Sequence, residues 1–456
     1  MILASVREGE PMAGLRRSLS AFEAFTLSLA IIAPTLAMAF NVALAVQAAG
    51  RAAPLAFLIG GAAMALIGLS FVAFSRRIAS AGSAYAYVDA VFGRRWGFLA
   101  GWALLFAYLG FLFSATGLVG GFVATGLKAL GLDLPGLWLV LALVGTVLVI
   151  VLGGREIRQA TWIMLAIEAV AVLAIVALAV VILTEVPLSA EPFAPDPSRG
   201  WAGVGYGMVF AVLSVAGFEG AATVAEETRD PHRAIPIAIV GSVLAATLLY
   251  ALISYAQVLG YGLGQTRALA EAHAPLDALS ARYVSTGYGV FLDFAAGISS
   301  LACALGTASA ASRILYVLGR AGLGGRLGLG EIDSEHGAPA RAVRFVGACT
   351  IAALLAFGTW TGPRAYSEAF STIATLTLIL VYIAVALAQA FDARRRGRPV
   401  WTVIGSLGAA LLCWPLVNSL YPVPAWPGNL WPFVVIAWML AGVLLGLVQP
   451  ALVRSA

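Results

Sequence analysis

Apolar runs close to twenty residues long recur from about residue 22 to about residue 450, and this repetition constrains the fold more than any single motif. A bilayer core about 30 Å thick takes about 20 helical residues to cross, and about twelve runs in this chain reach that length. With 61% hydrophobic and only 11% charged residues, a water-soluble globule would expose more apolar surface than water tolerates. In hydrocarbon every backbone N–H and C=O must pair within the protein, so runs of this length are helices. The short alternating segments of a β-barrel are absent. The chain therefore reads as an all-α membrane protein. Its spans lie near 22–46, 52–74, 96–126, 134–152, 160–184, 201–224, 235–262, 287–317, 343–361, 366–391, 401–420 and 429–450.

Basic residues orient these spans. With the N-terminus inside, 21 of the 27 Lys and Arg residues fall on the cytoplasmic side, and Arg51, Lys128, Arg199, Arg267, Arg282 and Arg364 fall outside. That bias predicts a multi-pass protein of the inner (cytoplasmic) membrane with both termini cytoplasmic. It also accounts for the net charge of +5 without nucleic acid. The run after Arg16-Arg17 is too long for a signal peptide and passes directly into further spans.

Several chemistries find no support. Cys303, Cys349 and Cys413 lie in apolar spans without CxxC spacing, and His232, His273 and His336 fall in separate loops. Neither a metal nor a disulfide is indicated. No phosphate loop or nucleophile–base pair stands out, so the expectation is a protein without cofactor and without enzymatic activity.

Two spans differ from the rest. The first carries Pro34 near its middle, which removes a backbone donor and predicts a kink or unwinding around residues 30–38. The sixth carries Glu219 between Gly217 and Gly220. An ionised carboxylate at the centre of a span costs at least about 2.5 kcal/mol, and each flanking glycine weakens the helix by about 1 kcal/mol relative to alanine. Broken helices five spans apart point to an inverted-repeat transporter with its site near the midplane. An ordinary proline kink, with glycines serving close helix packing, is the alternative.

Gly217-Phe-Glu-Gly220, followed by Glu226-Glu-Thr-Arg-Asp-Pro231 and by Arg233 and Ile235-Pro236, resembles the sixth-helix signature of the amino acid–polyamine–organocation permeases. Further matches follow in order. Ser80-Ala-Gly-Ser-Ala-Tyr-Ala-Tyr87, Phe92-Gly93 and Gly101-Trp102 resemble the stretch from helix two into helix three. Ala311-Ser-Arg313 through Gly322, then Gly337-Ala-Pro339, resembles the end of helix eight and its loop. The resemblance covers roughly residues 20–345. It implies a LeuT-type 5+5 inverted-repeat fold with 12 transmembrane helices. Residues 1–21 would form a cytoplasmic N-terminus, 22–184 the first repeat, 201–391 the second, and 401–450 two peripheral spans.

The function it implies is secondary active transport of an amino acid or related amine by alternating access, coupled to a proton. A sodium-coupled symporter, an uncoupled exchanger and a membrane nutrient sensor stay open as alternatives, as do monomer and homodimer. Substrate would lie between the unwound first and sixth helices, against Ala33, Pro34, Thr35, Leu36, Ala37 and Met38 on one side. Val215, Ala216, Gly217 and Phe218 would face it from the other, with Tyr108 reaching in from helix three and Phe218 as an aromatic lid.

Two departures from the family matter. The Gly-Ser-Gly loop expected near Leu36–Met38 has no glycine here, so unwinding must come from Ala33-Pro34-Thr35; the half-helix N-terminus still offers amides to an anion. Aligning Gly153-Gly-Arg155 with the family puts Glu168 where many sodium-independent relatives carry lysine. Glu168 and Glu219 are therefore the coupling candidates. Ser299 and Thr307 share one face of the eighth span and offer oxygen ligands for a sodium ion. Hydroxyls at helical spacing also bond back to their own carbonyls.

The remaining expectations concern the edges. Asp293 and Glu368 lie near external ends, as gate or solvent-facing groups. Residues 185–200 form an external loop, and 264–286 hold one short amphipathic helix that could serve as an external gate. Asp392-Ala-Arg-Arg-Arg396 is an internal turn able to touch anionic lipid. The last two spans offer interfacial anchors or a dimer surface.

Overall fold

The computed structural model describes residues 20–453 except 21, 24, 26, 27, 29–31, 79–82, 154–157, 220, 222–227, 273, 325, 326, 333–338, 422 and 425. For 158–165 it describes the backbone alone. Parts of the motifs carrying the resemblance (80–82, 154–155, 220, 226–227, 337) lie outside the described residues. Among the described residues the regular elements are helices: α1 (34–49), α2 (Ala53–Ser75), α3 (Ala84–Phe92), α4 (Arg94–Ala129), α5 (Leu137–Gly153), α6 (Arg158–Glu185) and α7 (Gly200–Val215). The second half holds α8 (Pro231–Tyr261), α9 (Thr266–Glu271), α10 (Pro275–Tyr283), α11 (Thr286–Arg320), α12 (Ala340–Ala353), α13 (Pro363–Arg395), α14 (Pro399–Asn418) and α15 (Trp431–Val448).

Nine helical stretches among the described residues are long and apolar enough to cross a membrane, with α5 and α7 as two shorter apolar helices. Nine rather than twelve stand by that measure, partly because α1 and α2 run together as one stretch of 42 residues, Pro34–Ser75. The chain leaves helical geometry inside that stretch at Gly50 (φ 59°, ψ −138°). Only glycine adopts this easily, and a Cβ there would stand 2.4 Å from Asp196 Oδ2. Asp196 accepts hydrogen bonds from the Arg51 amide at 3.1 Å and from the Ser198 amide and hydroxyl at 2.8 and 2.6 Å. The 185–200 loop is thereby fastened to the turn between α1 and α2, and Arg51 also pairs with Glu191.

Two packing groups emerge. α4 lies against α11 and α13, and α2 lies against α8 and α7, with α1 beside α7. Large apolar side chains such as Leu173, Leu248 and Val448 stay exposed on the outer faces, as a bilayer permits. α15 is held to α4 by a reciprocal pair: Trp102 Nε1 donates to the Trp438 carbonyl at 2.9 Å and Trp438 Nε1 donates to the Trp102 carbonyl at 3.0 Å. Their rings stack with centroids 4.4 Å apart. Each indole N–H finds the partner it needs away from water.

Two edge expectations require correction. Residues 264–286 hold two short helices, α9 and α10, because Pro275 starts a new helix where the first has ended. Asp293 is not solvent-facing: only 3% of it is exposed, since it lies inside the body of α11. Arg364 at the start of α13 donates to the carbonyls of Ala270 and Ala272, which fastens the α9–α10 segment to the bundle.

Candidate functional site

Among the described residues the first break is marked by Ala33. Ala33 takes left-handed dihedrals (φ 45°, ψ 69°), Pro34 follows as the first helical residue, and the Ala37 amide closes the first turn on the Ala33 carbonyl at 3.0 Å. Residues 37–41 then run as a π-helix before α-helical geometry resumes at Val42. π-turns inside helices frequently mark functional sites. The second break follows α7. Val215 ends it, Ala216 turns extended at ψ 140°, and Gly217 has φ 111°. Here glycine is required, because a Cβ is strained at that dihedral.

Glu219 sits beyond this break, fully buried. Tyr108 donates its hydroxyl to Oε1 at 3.0 Å, Tyr382 donates to Oε2 at 2.6 Å, and the Gly217 amide donates to Oε2 at 3.1 Å. Three donors converge on a group that, ionised, only accepts. The carboxylate thereby ties α4 and α13 to the broken segment. Ser28 reinforces the junction, donating to the Phe218 carbonyl at 3.0 Å and accepting the Ala221 amide at 3.1 Å.

Glu168, on α6, meets the other break. Its Oε1 accepts the Thr35 amide at 2.7 Å, and the Leu36 amide donates to Ser299 Oγ of α11 at 3.2 Å. The Thr35 hydroxyl stands near the same carboxylate without a hydrogen bond of good geometry. Tyr250 and Cys303 are the ionisable neighbours from α8 and α11.

A cavity of about 40 Å³ lies just past this start of α1. Leu36, Ala37, Phe40 and Asn41 line it from α1, Phe111 and Ser114 from α4, Thr307 and Cys303 from α11, Ser371 from α13, and Ala216 from the second break. At about 10–15 Å³ for each water-sized probe, it is far smaller than an amino acid, so the walls must part to admit one.

Of the residues expected at the substrate, Leu36, Ala37 and Ala216 line the cavity, as does Thr307. Ala33, Pro34 and Thr35 form the helix start beside it. Tyr108 and Gly217 are engaged with Glu219. Val215 and Met38 are buried, and the Met38 carbonyl accepts Gln257 Nε2 at 2.8 Å. Phe218 packs edge-on against Phe71, with centroids 5.4 Å apart, and beside Tyr382 at 5.5 Å; it does not line the cavity. Thr307 turns its hydroxyl back to the Cys303 carbonyl at 2.7 Å. Sequence reasoning missed Tyr382, Ser28, Asn41, Phe111 and Ser371. A hydroxyl-bearing ring in the middle of a span must find a partner, and that was the available signal for Tyr382.

The model of the amino acid permease family matches residues 24–421. The chain belongs to the amino acid permease family. The branched-chain amino acid permease BcaP of Lactococcus lactis is 26% identical over 319 residues, covering 64% of this chain and 66% of the relative. Cationic amino acid transporter 2 (vacuolar) of Arabidopsis thaliana is 27% identical over 352 residues, covering 73% of this chain and 54% of the relative. The serine/threonine exchanger SteT of Bacillus subtilis is 23% identical over 247 residues, covering 53% and 55%. The permease chain thus spans about half to two thirds of the length of these curated relatives. Both helix breaks, both buried glutamates and the lining of the cavity fall inside the segment that the amino acid permease family model matches.

Proposed function

We propose that this permease is a secondary active transporter that moves an amino acid across the cytoplasmic membrane in symport with a proton. The observation that carries the reading is the small cavity lined in part by residues of both broken helices, with Glu168 at the start of one and Glu219 beyond the break of the other. Its walls come from both packing groups, so rocking α1, α2, α7 and α8 against the remaining helices would open it. This reading takes 22–184 and 201–391 as the inverted repeats, twelve spans in total, and both termini cytoplasmic.

The cavity lining favours a neutral, apolar side chain, because no acidic residue is among the described residues that form it. Leucine, valine and isoleucine are the first candidates, and the branched-chain relative supports them. Glu168 is the better proton carrier of the two glutamates. Glu219 is held by three donors from three segments, whereas Glu168 leans on an amide that a substrate could claim. Uncoupled exchange is the second reading, supported by the similarity to an exchanger.

Uptake into proteoliposomes across a panel of amino acids and amines, with proton and sodium gradients imposed separately, tests this. Leucine accumulation driven by an inward proton gradient is the expected result. Accumulation only against preloaded internal substrate would establish exchange instead, and no transport of any panel member would end the reading.

A further inference from the structure

A helix leaves its first amides without intrahelical partners. In α1 the residue after Ala33 is proline, which has no amide proton, so the donors facing the break are those of Thr35 and Leu36. Both are taken. Glu168 Oε1 accepts the first at 2.7 Å and Ser299 Oγ the second at 3.2 Å. The cavity lies alongside, lined by Ile32 before the break and by Leu36 and Ala37 after it. A second observation concerns the same spot: Thr35 Oγ1, fully buried, stands beside the Glu168 carboxylate without a hydrogen bond of good geometry, so a further donor faces the place that Glu168 fills.

We propose that Glu168 is an internal stand-in for the substrate's carboxylate: it occupies the Thr35 amide at the helix start, which the substrate must claim, and it leaves that amide when it takes up a proton. The inference rests on the amino acid transport reading. Two carboxylates cannot share this one amide while both are charged, because like charges at this range disfavour joint ionisation. Charge-assisted hydrogen bonds are roughly twice as strong as neutral ones, so a protonated Glu168 holds the Thr35 amide weakly and yields it. Binding of one carboxylate then takes up one proton, and coupling follows from competition for a single place. The ionisable groups facing Glu168 are Tyr250 from α8 and Cys303 from α11, with the hydroxyls of Thr35 and Ser299 beside it. Among these described neighbours Glu168 is the one carboxylate, so the negative charge expected to vary there is its own.

The competition makes substrate class a matter of pH. A ligand with a carboxylate binds in exchange for the ionised Glu168, and an amine lacking one does not. The test uses the full chain in nanodiscs, with leucine and 3-methylbutylamine as probes. Wild-type leucine affinity is expected to fall ~tenfold per pH unit once Glu168 is ionised, with the amine's affinity flat. In Glu168→Gln, leucine binding is expected to lose this slope. An equal slope for both probes, or a slope surviving in Glu168→Gln, overturns the proposal. A second arm needs no substrate. Glu168→Ala vacates the Thr35 amide, and acetate at neutral pH is expected to raise the melting temperature of that variant and not of the wild type. Absence of that rescue overturns the stand-in role. Rescue by acetate in a protein that binds no amino acid would leave the stand-in intact and remove only the transport reading.

Discussion

Two carboxylates in this permease show how little a residue's identity says until its partners are known. Glu219 gathers Tyr108, Tyr382 and the Gly217 amide around a side chain with no exposed surface. Removing one donor from a buried charged acceptor costs about 1.5–3 kcal/mol. Tyr382→Phe, which deletes the 2.6 Å bond, is therefore expected to lower the thermal midpoint more than Tyr108→Phe, which deletes the 3.0 Å bond. The double variant should depart from additivity because the two share one acceptor. Melting curves of the three purified variants check both statements. Asp196 offers a pH-dependent counterpart outside the spans. Burial pushes its carboxyl up, but the bonds from Ser198 and the Arg51 amide, with the Arg51 charge, outweigh this and hold it below its ordinary 3.8. A depressed carboxylate contributes stability above its unfolded value and loses it as pH falls through the folded one. Asp196→Asn should thus be less stable than wild type at neutral pH, and the gap should close on acidification below about pH 4.

At the scale of elements, the breaks in the first and sixth spans dominate. Pro34 was legible as a breaker because its missing donor is a property of the residue alone. The structure places the distortion at Ala33, one residue before it, and extends it as a π-turn over 37–41. Gly217 is equally local in origin, with φ 111°. Gly217→Ala is expected to cost about 1–2 kcal/mol in backbone strain and to abolish uptake while the protein still inserts. Uptake assays normalised to purified protein distinguish this from simple loss of expression. The apolar spacing of 264–286 predicts one short helix. The segment divides because Pro275 begins a new helix and Ala272 before it is extended (ψ 132°).

Across the whole molecule, the proposed alternating access makes contacts between the two packing groups the place to test which face opens. Arg77, just past α2, donates to Asp392 of α13 at 2.8 Å, and Asp392 also accepts from Arg396 at 3.0 Å. These side chains are partly exposed, and a pair of that kind is worth about 0.2–1 kcal/mol. Asp392→Asn is accordingly expected to shift the balance between outward- and inward-facing forms by no more than about fivefold, toward opening at this arginine-rich end. Labelling of a single cysteine placed in the cavity wall, from each side of sealed vesicles, measures the shift; an unchanged ratio would show that the tie does not gate.

Hydropathy and helical period act over a few neighbouring residues, so the sequence by itself determined the membrane class, the helical content and the weak points at Pro34 and Gly217. It also singled out Glu219 as a costly residue, since a carboxylate in an apolar span is expensive wherever the chain folds, and the family resemblance pointed to Glu168. Which group each one meets was decided only by tertiary structure. Glu168 reaches Thr35 across 133 positions of sequence, and Tyr382 reaches Glu219 across 163. No local pattern carries such a pairing. It arises when packing brings α6 against the start of α1, and α13 against the break after α7, where each buried charge must find its donors or not fold at all.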